Sequence, residues 1–400
     1  MYFNANFAAE YFIKDIRGAA PLKILSLCLP FMAAGSCIKG YFLGRQNNIL
    51  PALSQIFEQA VRMLSLAAIM AVYSPDTIES ACSAAVVGVV LGETFSFLLT
   101  AAFLFFSTDK KQYNKNRRSI SLSACFKKIV SMALPLSASR AASSFLMAVE
   151  NILIPLRLSL YSKSTDALSQ YGHLTGMVMP LVHFPSSMLG AVSVSIIPAV
   201  SKQRTYSNKN IAETTVNRSI CFTAATSCAA AVFFYAFSNE ICQIVYSMPE
   251  LGNILKPLAL LCPLMYSQIT LNGILNSLGK HFHLFVTGII SSLLSIGTIY
   301  FLMPLMGIPA YIIGTFISTS SSVIPAVVIS SKYFRIKRAI LKYYFLCGMC
   351  AVLAAFVSKL MPLDNILYQM CFMGLIYLAG VIFTGIFSEI TGFKKLNTKY

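Results

Sequence analysis

Five charged side chains bound the chemistry open to this 400-residue sequence: Glu58, Arg62, Glu93, Arg140 and Glu150. All five lie in apolar stretches long enough to cross a bilayer, where an ionised group costs on the order of 2.5–3.5 kcal/mol on insertion scales. Such a group calls for a partner, a cavity or a substrate. Glu58 and Arg62 are four residues apart in the favourable acid-then-base order, so they can pair on one helix face. Arg140 and Glu150 are ten residues apart, near one face of a helix but almost three turns separated. They cannot meet, so each needs a group from elsewhere, and Asn151 stands beside the carboxylate. Glu93, set in VLGETFSF, is either a protonated packing residue or a coupling site. A guanidinium at depth can hold a phosphate, and a carboxylate can exchange a proton or a sodium ion. This is the chemistry of a substrate path. Signatures of catalysis are absent: there is no GxxxxGK[ST], HExxH, GxGxxG or loop Asp-x-Asp, and the four His supply only His281-x-His283. No enzyme activity, metal or cofactor is expected.

Uncharged polar groups extend the candidate path. Gln268, Asn272 and Asn276 recur at four-residue spacing and predict a polar stripe facing a cavity, whereas the STSSS run at 318–322 is expected to hold helices together. The stretch 172–201 carries Pro180, Pro185 and Pro198 in one span, which suits a broken, moving gate. His183 in that span is expected to be a hydrogen-bonded packing residue. Cys347 and Cys350 form a CxxC with no second pair or His nearby, so both are expected to be inert buried thiols.

The elements that must position these residues are membrane helices. The chain is 56% hydrophobic, 11% charged, with mean hydropathy +0.70, against about 25% charged residues in soluble domains. A pI near 9.4 therefore reads as membrane topology, and no nucleic-acid partner is expected. Apolar runs predict an all-α polytopic protein with eleven helices, at 22–38, 54–73, 82–106, 129–155, 174–200, 220–237, 255–275, 284–303, 308–330, 340–357 and 366–387. The connections after odd-numbered helices hold 22 of the 31 Lys and Arg residues, which by the positive-inside rule places the C-terminus in the cytoplasm and Met1 outside.

An internal repeat explains the outward start. KILSLCLPFMAAGSCIKG at 23–40 aligns without a gap on KPLALLCPLMYSQITLNG at 256–273, sharing Lys23/Lys256, Leu25/Leu258, Leu27/Leu260, Pro30/Pro263, Met32/Met265 and Gly40/Gly273. The repeat relates the first helix to the seventh in the same orientation, a parallel duplication known in transporters. It predicts three helices ahead of Met1. The expected domains are an incomplete N-terminal lobe of three helices at 1–106, a basic cytoplasmic linker at 107–128, a six-helix lobe at 129–331, and two additional helices with a short tail at 332–400. The linker's chief role is to set topology, with binding of anionic lipid headgroups as its second.

PFMAAGSCIKGYFLGRQN at 30–47, SQIFEQAVR at 54–62, ALPLSASR at 133–140, ENILIPLRL at 150–158 and YGHLTGMVMPLVHFPSSMLGAVSVSIIPAVS at 171–201 resemble the polysaccharide-exporter branch of the MATE-like flippase superfamily, specifically its stage V sporulation protein B group. The resemblance implies a two-lobe bundle of fourteen helices, of which eleven are present. It further implies a flippase that moves undecaprenyl-pyrophosphate-linked saccharides outward across the cytoplasmic membrane by alternating access, serving peptidoglycan and, in spore formers, the cortex. Its partners would be the lipid-linked saccharide, membrane lipids and a coupling cation, proton or sodium. Arg140 would bind phosphate, while Glu150 and the Glu58–Arg62 pair would control the cavity. Two alternatives stay open: a cation-coupled multidrug exporter using Glu58, Glu93 and Glu150, and a truncated, non-transporting paralogue acting as a scaffold.

Overall fold

Backbone polar groups in hydrocarbon must be satisfied within their own segment, so apolar runs of this length fold as helices. The computed structural model describes residues 2–10, 18–45, 47, 49–72, 77–107, 122–161, 164–205, 209–361 and 365–391, and among them there is no strand. The basic segment 108–121 and the tail 392–400 lie outside the described residues. The chain divides into two compact units, Met1–Cys125 and Phe126–Tyr400.

The first unit opens with short helical turns at Tyr2–Asn4 and Ala5–Ala8. It continues with α1 (Ala19–Ser26), α2 (Leu29–Gly44), α3 (Ile49–Val72) and α4 (Ile78–Ser107). Helices α3 and α4 approach closely along a GxxxG face. A Cβ added at Gly88 would sit 3.3 Å from the Arg62 carbonyl oxygen, and one at Gly92 only 2.8 Å from that of Glu58. Small residues of this kind let membrane helices touch backbone to backbone. Phe31 of α2 meets Phe97 of α4 with ring centroids 5.8 Å apart.

The second unit is built from α5 (Leu122–Tyr161), which begins just before the boundary, then α6 (Ser164–Gly172), a π-helical stretch His173–Val178 and α7 (Met179–Thr205). There follow α8 (Lys209–Ala236), α9 (Ser238–Tyr246), a 3-10 turn Pro249–Leu251, α10 (Gly252–Ala259) and α11 (Cys262–Ser277). The remaining helices are α12 (His281–Met306), α13 (Ile308–Ser331), α14 (Ile336–Leu360), α15 (Ile366–Phe383) and α16 (Ile386–Thr391). Helix α8 is the axis of this unit. Of its membrane-length segment 56% is buried, twice the share of any other described span. Val216, Cys221 and Ala224 of α8 pack in one core with Tyr266 and Ile274 of α11 and Cys347, Ala351 and Ala354 of α14.

Eight described helices are long and apolar enough to span a membrane, and two bent helix pairs raise the number to ten. The expected span at 174–200 is helical as well, as the π stretch and α7. The expected helices at 22–38 and 255–275 are the two bent pairs: α1 and α2 meet at 41°, and the segment ending in α10 meets α11 at 54°. The breaks fall at matched positions of the repeat. Ser26 and Ala259 end the first halves, Leu29 and Cys262 open the second halves, each is followed by a proline, and α2 and α11 are both 16 residues long. Proline there lacks an N–H that the preceding segment could use, while its fixed φ suits the first turn of a new helix. The duplication is thus visible in backbone geometry as well as in residue identities.

Connections of the second unit gather into two groups. Glu213 near the start of α8 accepts the Arg335 backbone N–H at 3.3 Å, and Lys280 lies 5.7 Å from the ring centroid of Tyr333. These place the beginning of α8, the α11–α12 turn and the α13–α14 turn together. Tyr161, Ser247, Pro249, Met306 and Ile308 line a single cleft, which groups the other three connections.

Candidate functional site

In the first unit the charged residues form one cluster at membrane depth. The Glu58 carboxylate accepts from Arg62 at 3.3 Å through Oε1 and from Lys39 Nζ at 3.3 Å through Oε2. The pair with Arg62 follows from helix pitch, whereas Lys39 arrives from α2, nineteen residues away in sequence. By charge pattern Lys39 belongs to a loop, but it lies within α2 as a helical residue. Glu93 of α4 lies within interaction range of Glu58, Lys39 and Arg62. Two cations and two carboxyls thus share a site between α2, α3 and α4. Glu58 is buried, while the Lys39 and Arg62 side chains keep 25% and 31% of their exposure, enough for a solute to reach them. Arg62 Nε is buried without a hydrogen-bond partner among the described residues.

The second unit holds a carboxylate with a different environment. Ser295 of α12 donates to Glu150 Oε1 at 2.6 Å, and the hydroxyls of Tyr171 and Tyr311 stand close enough to feel its charge. Tyr171 donates to Asn151 Oδ1 at 3.4 Å, at the outer limit of a hydrogen bond. No Lys or Arg is paired with Glu150 among the described residues. A half-buried carboxylate held by the Ser295 hydroxyl can take up a proton or a small cation.

Several expectations change in the folded chain. Helix α5 is 40 residues long and contains the whole of the expected span at 129–155. Arg140 and Glu150 both lie inside this helix, ten residues apart. Among the described residues Arg140 is exposed and has no hydrogen-bond or ion-pair partner. The Arg157 guanidinium lies 3.5 Å from the ring centroid of Tyr300. Pro180 and Pro185 do not break α7. The irregular turn lies ahead of them in the π stretch, and the carbonyls of Met177 and Val182 on either side of Pro180 are taken by the hydroxyls of Tyr246 at 2.9 Å and Tyr266 at 2.5 Å. Pro198 is in α7, with its side chain outside those described. His183 is exposed, so it is no packing residue. The STSSS run does pack: Ser291 of α12 donates to the Ser318 carbonyl at 2.8 Å.

Sequence spacing missed Lys39, Ser295, Tyr171 and Tyr311, since each reaches its site from another helix and has no local signature. On α11 it singled out Gln268, Asn272 and Asn276. An apolar cavity of about 380 Å³ runs between α8, α11, α13 and α14, and α11 presents Ser267, Thr270 and Leu271 to it. Thr223 and Thr270 share a hydrogen bond at 2.6 Å, as do Ser267 and Tyr344 at 2.5 Å. Gln268 and Asn272 are half-buried outside this lining and make no hydrogen bond among the described residues.

Comparison with known proteins places this geometry in context. Residues 3–204 match the family described as polysaccharide biosynthesis protein. Stage V sporulation protein B of Bacillus subtilis strain 168 is 28% identical over 314 residues, covering 76% of this chain and 60% of that protein. Sporulation protein YkvU of the same strain is 22% identical over 231 residues, covering 56% of this chain and 50% of that protein. The chain thus spans half to three fifths of the length of these relatives. Among solved structures, an inward closed lipid II flippase MurJ superposes with a TM-score of 0.69 at 17% identity, over 97% of this chain and 79% of that one. An inward-facing multidrug resistance MATE family transporter of the MOP superfamily gives 0.65 at 13% identity, over 85% and 77%. At these identities the likeness is one of fold.

Proposed function

We propose, from the premise that this chain belongs to the polysaccharide biosynthesis protein family, that it serves as a flippase for lipid-linked saccharide precursors by alternating access. The observation that carries this reading is Arg140, an exposed guanidinium without a partner among the described residues, within the long helix α5. An exposed guanidinium can engage a phosphate bidentately, which matches the charged end of a lipid-linked sugar. The Lys39–Glu58–Arg62–Glu93 cluster supplies the matching polar site of the first unit. We assign the membrane to the cytoplasmic one, with the C-terminus inside, on the excess of Lys and Arg in the odd-numbered connections. The division into a lobe at 129–331 and two additional helices at 332–400 belongs to the same proposal.

In proteoliposomes, Arg140→Ala is expected to abolish movement of a fluorescent undecaprenyl-linked sugar, about a hundredfold in rate if one charge-assisted phosphate contact is lost. Unchanged movement would remove Arg140 from the mechanism. Coupling is assigned to Glu150, whose carboxylate is held by Ser295 and not by a fixed cation. Glu150→Gln is expected to leave substrate binding in place while transport no longer responds to an imposed proton or sodium gradient. The same carboxylate favours a second reading, export of small organic cations, which ion-driven efflux of a cationic dye would establish in place of the first.

A further inference from the structure

Where α5, α9 and α12 end, the second unit leaves a cleft of about 620 Å³ between three connections. That volume is in the range of small-ligand sites, roughly 300–1,000 Å³. Its floor is apolar, with Leu251 and Ile254 among its residues, and one wall is the ring of Tyr161, the last residue of α5. The ring leans on Gly307: a Cβ there would lie 2.8 Å from its Cδ1 and Cε1 atoms. Gly307 also has φ +68° and ψ −138°, backbone that residues with a side chain rarely adopt. One glycine therefore turns the chain between α12 and α13 and makes room for the aromatic wall, while Tyr161 remains 54% exposed. Gln170, His173 and Glu250 stand around it.

We infer that this cleft is a saccharide-binding site, suited to neutral or amino sugars. The C–H face of a pyranose lies flat on an aromatic ring, and its hydroxyls exchange hydrogen bonds with an amide, an imidazole and a carboxylate, which together offer donors and acceptors. Among the described residues the lining contains a carboxylate and no Lys or Arg, which favours a neutral or amino sugar over an anion. Tyrosines at helix ends also mark the membrane interface, but that role needs neither a cleft nor Glu250. The cleft lies at the end opposite the group of connections that includes Lys280 and Arg335, so a sugar bound there would be on the side to which the product is delivered. The choice of ligand agrees with the proposed function, but the site is testable without it.

The test is titration of the purified full chain in lipid nanodiscs with N,N′-diacetylchitobiose, followed by saturation-transfer NMR. Saturable binding is expected, weakened about tenfold or more in Tyr161→Ala and in Glu250→Ala and retained in Tyr161→Phe. Thermal unfolding of each variant identifies any that fail to fold, and Glu250→Gln, which keeps shape and removes charge, then provides the decisive comparison: it is expected to weaken binding while its unfolding temperature stays at that of the parent. Absence of saturable binding, or equal binding by the parent, Tyr161→Ala and Glu250→Ala, overturns the inference. Transport assays on the same preparations keep the two readings apart. Movement of lipid-linked sugar with no binding in the cleft rejects the site alone, and binding in the cleft without any movement upholds the site and counts against the transport reading.

Discussion

Glu58 shows how a single carboxylate organises its surroundings in an apolar phase. Both of its oxygens are engaged, one by a cation on its own helix and one by a cation from α2, so the three charges come close to a net of one positive charge before Glu93 is added. Removing Glu58 would leave two cations facing each other in partial burial. Breaking a fully buried pair costs about 3–5 kcal/mol, and exposed pairs are worth about 0–1 kcal/mol, so Glu58→Gln is expected to lose on the order of 2 kcal/mol. Thermal unfolding in detergent reads this directly. Repeating the substitution in a Lys39→Met background should give a smaller loss, because residues in one ion-pair network do not act additively. Equal losses in both backgrounds would mean that Lys39 and Glu58 are not coupled.

Among elements, the two bent spans share a design while their packing differs. Gly40 and Gly273 are identical positions of the repeat, yet a Cβ at Gly40 would meet nothing within 4 Å, whereas one at Gly273 would fall 2.1 Å from Ser193 Oγ and 2.9 Å from the Ser193 carbonyl oxygen. The second contact involves backbone and cannot be relieved by a rotamer change, and Ser193 Oγ is further tied to the Ile269 carbonyl at 2.9 Å. Gly273→Ala is therefore expected to separate α7 from α11 and destabilise by about 1–3 kcal/mol, the usual range for overpacking. Gly40→Ala should be neutral or stabilising by up to about 1 kcal/mol, since alanine is the better helix former. Unfolding temperatures of the two variants, compared side by side, test the assignment. A similar response would show that the repeat copies pack alike.

For the molecule, the grouping of connections implies a definite sidedness. Tyr161, Ser247 and Met306 line one cleft, so the connections that follow α5, α9 and α12 share a face, while the contacts of Glu213, Lys280, Tyr333 and Arg335 bring the alternate connections together. Cysteines introduced as Glu250→Cys and Lys280→Cys should accordingly react with a membrane-impermeant maleimide from opposite faces, outside for the former. The exposed Cys37, Cys82 and Cys371 would first be changed to Ser, while the buried thiols are poor targets. Labelling of both new cysteines from one face would refute the topology. Charge counting along the chain reaches the same alternation because basic residues concentrate in every second connection, and only one arrangement of a helical hairpin series puts those on one side.

Local and cumulative properties could be read from the sequence by itself. An apolar run of spanning length must be a helix, a carboxylate and a guanidinium four residues apart must share a face, and a gapless repeat relates two spans in the same orientation. Contacts between helices were decided only in the tertiary structure, because spans that are apolar all round carry little signal for which face turns inward or how deep each residue sits. That is why Glu58–Arg62 was legible and Lys39–Glu58 was not. The same limit hid Ser295 behind Glu150, left open which face of α11 lines the apolar cavity, and separated Gly40 from Gly273 despite their identity. Helix pitch is a property of one segment, whereas rotation and depth are set by the neighbours against which it packs.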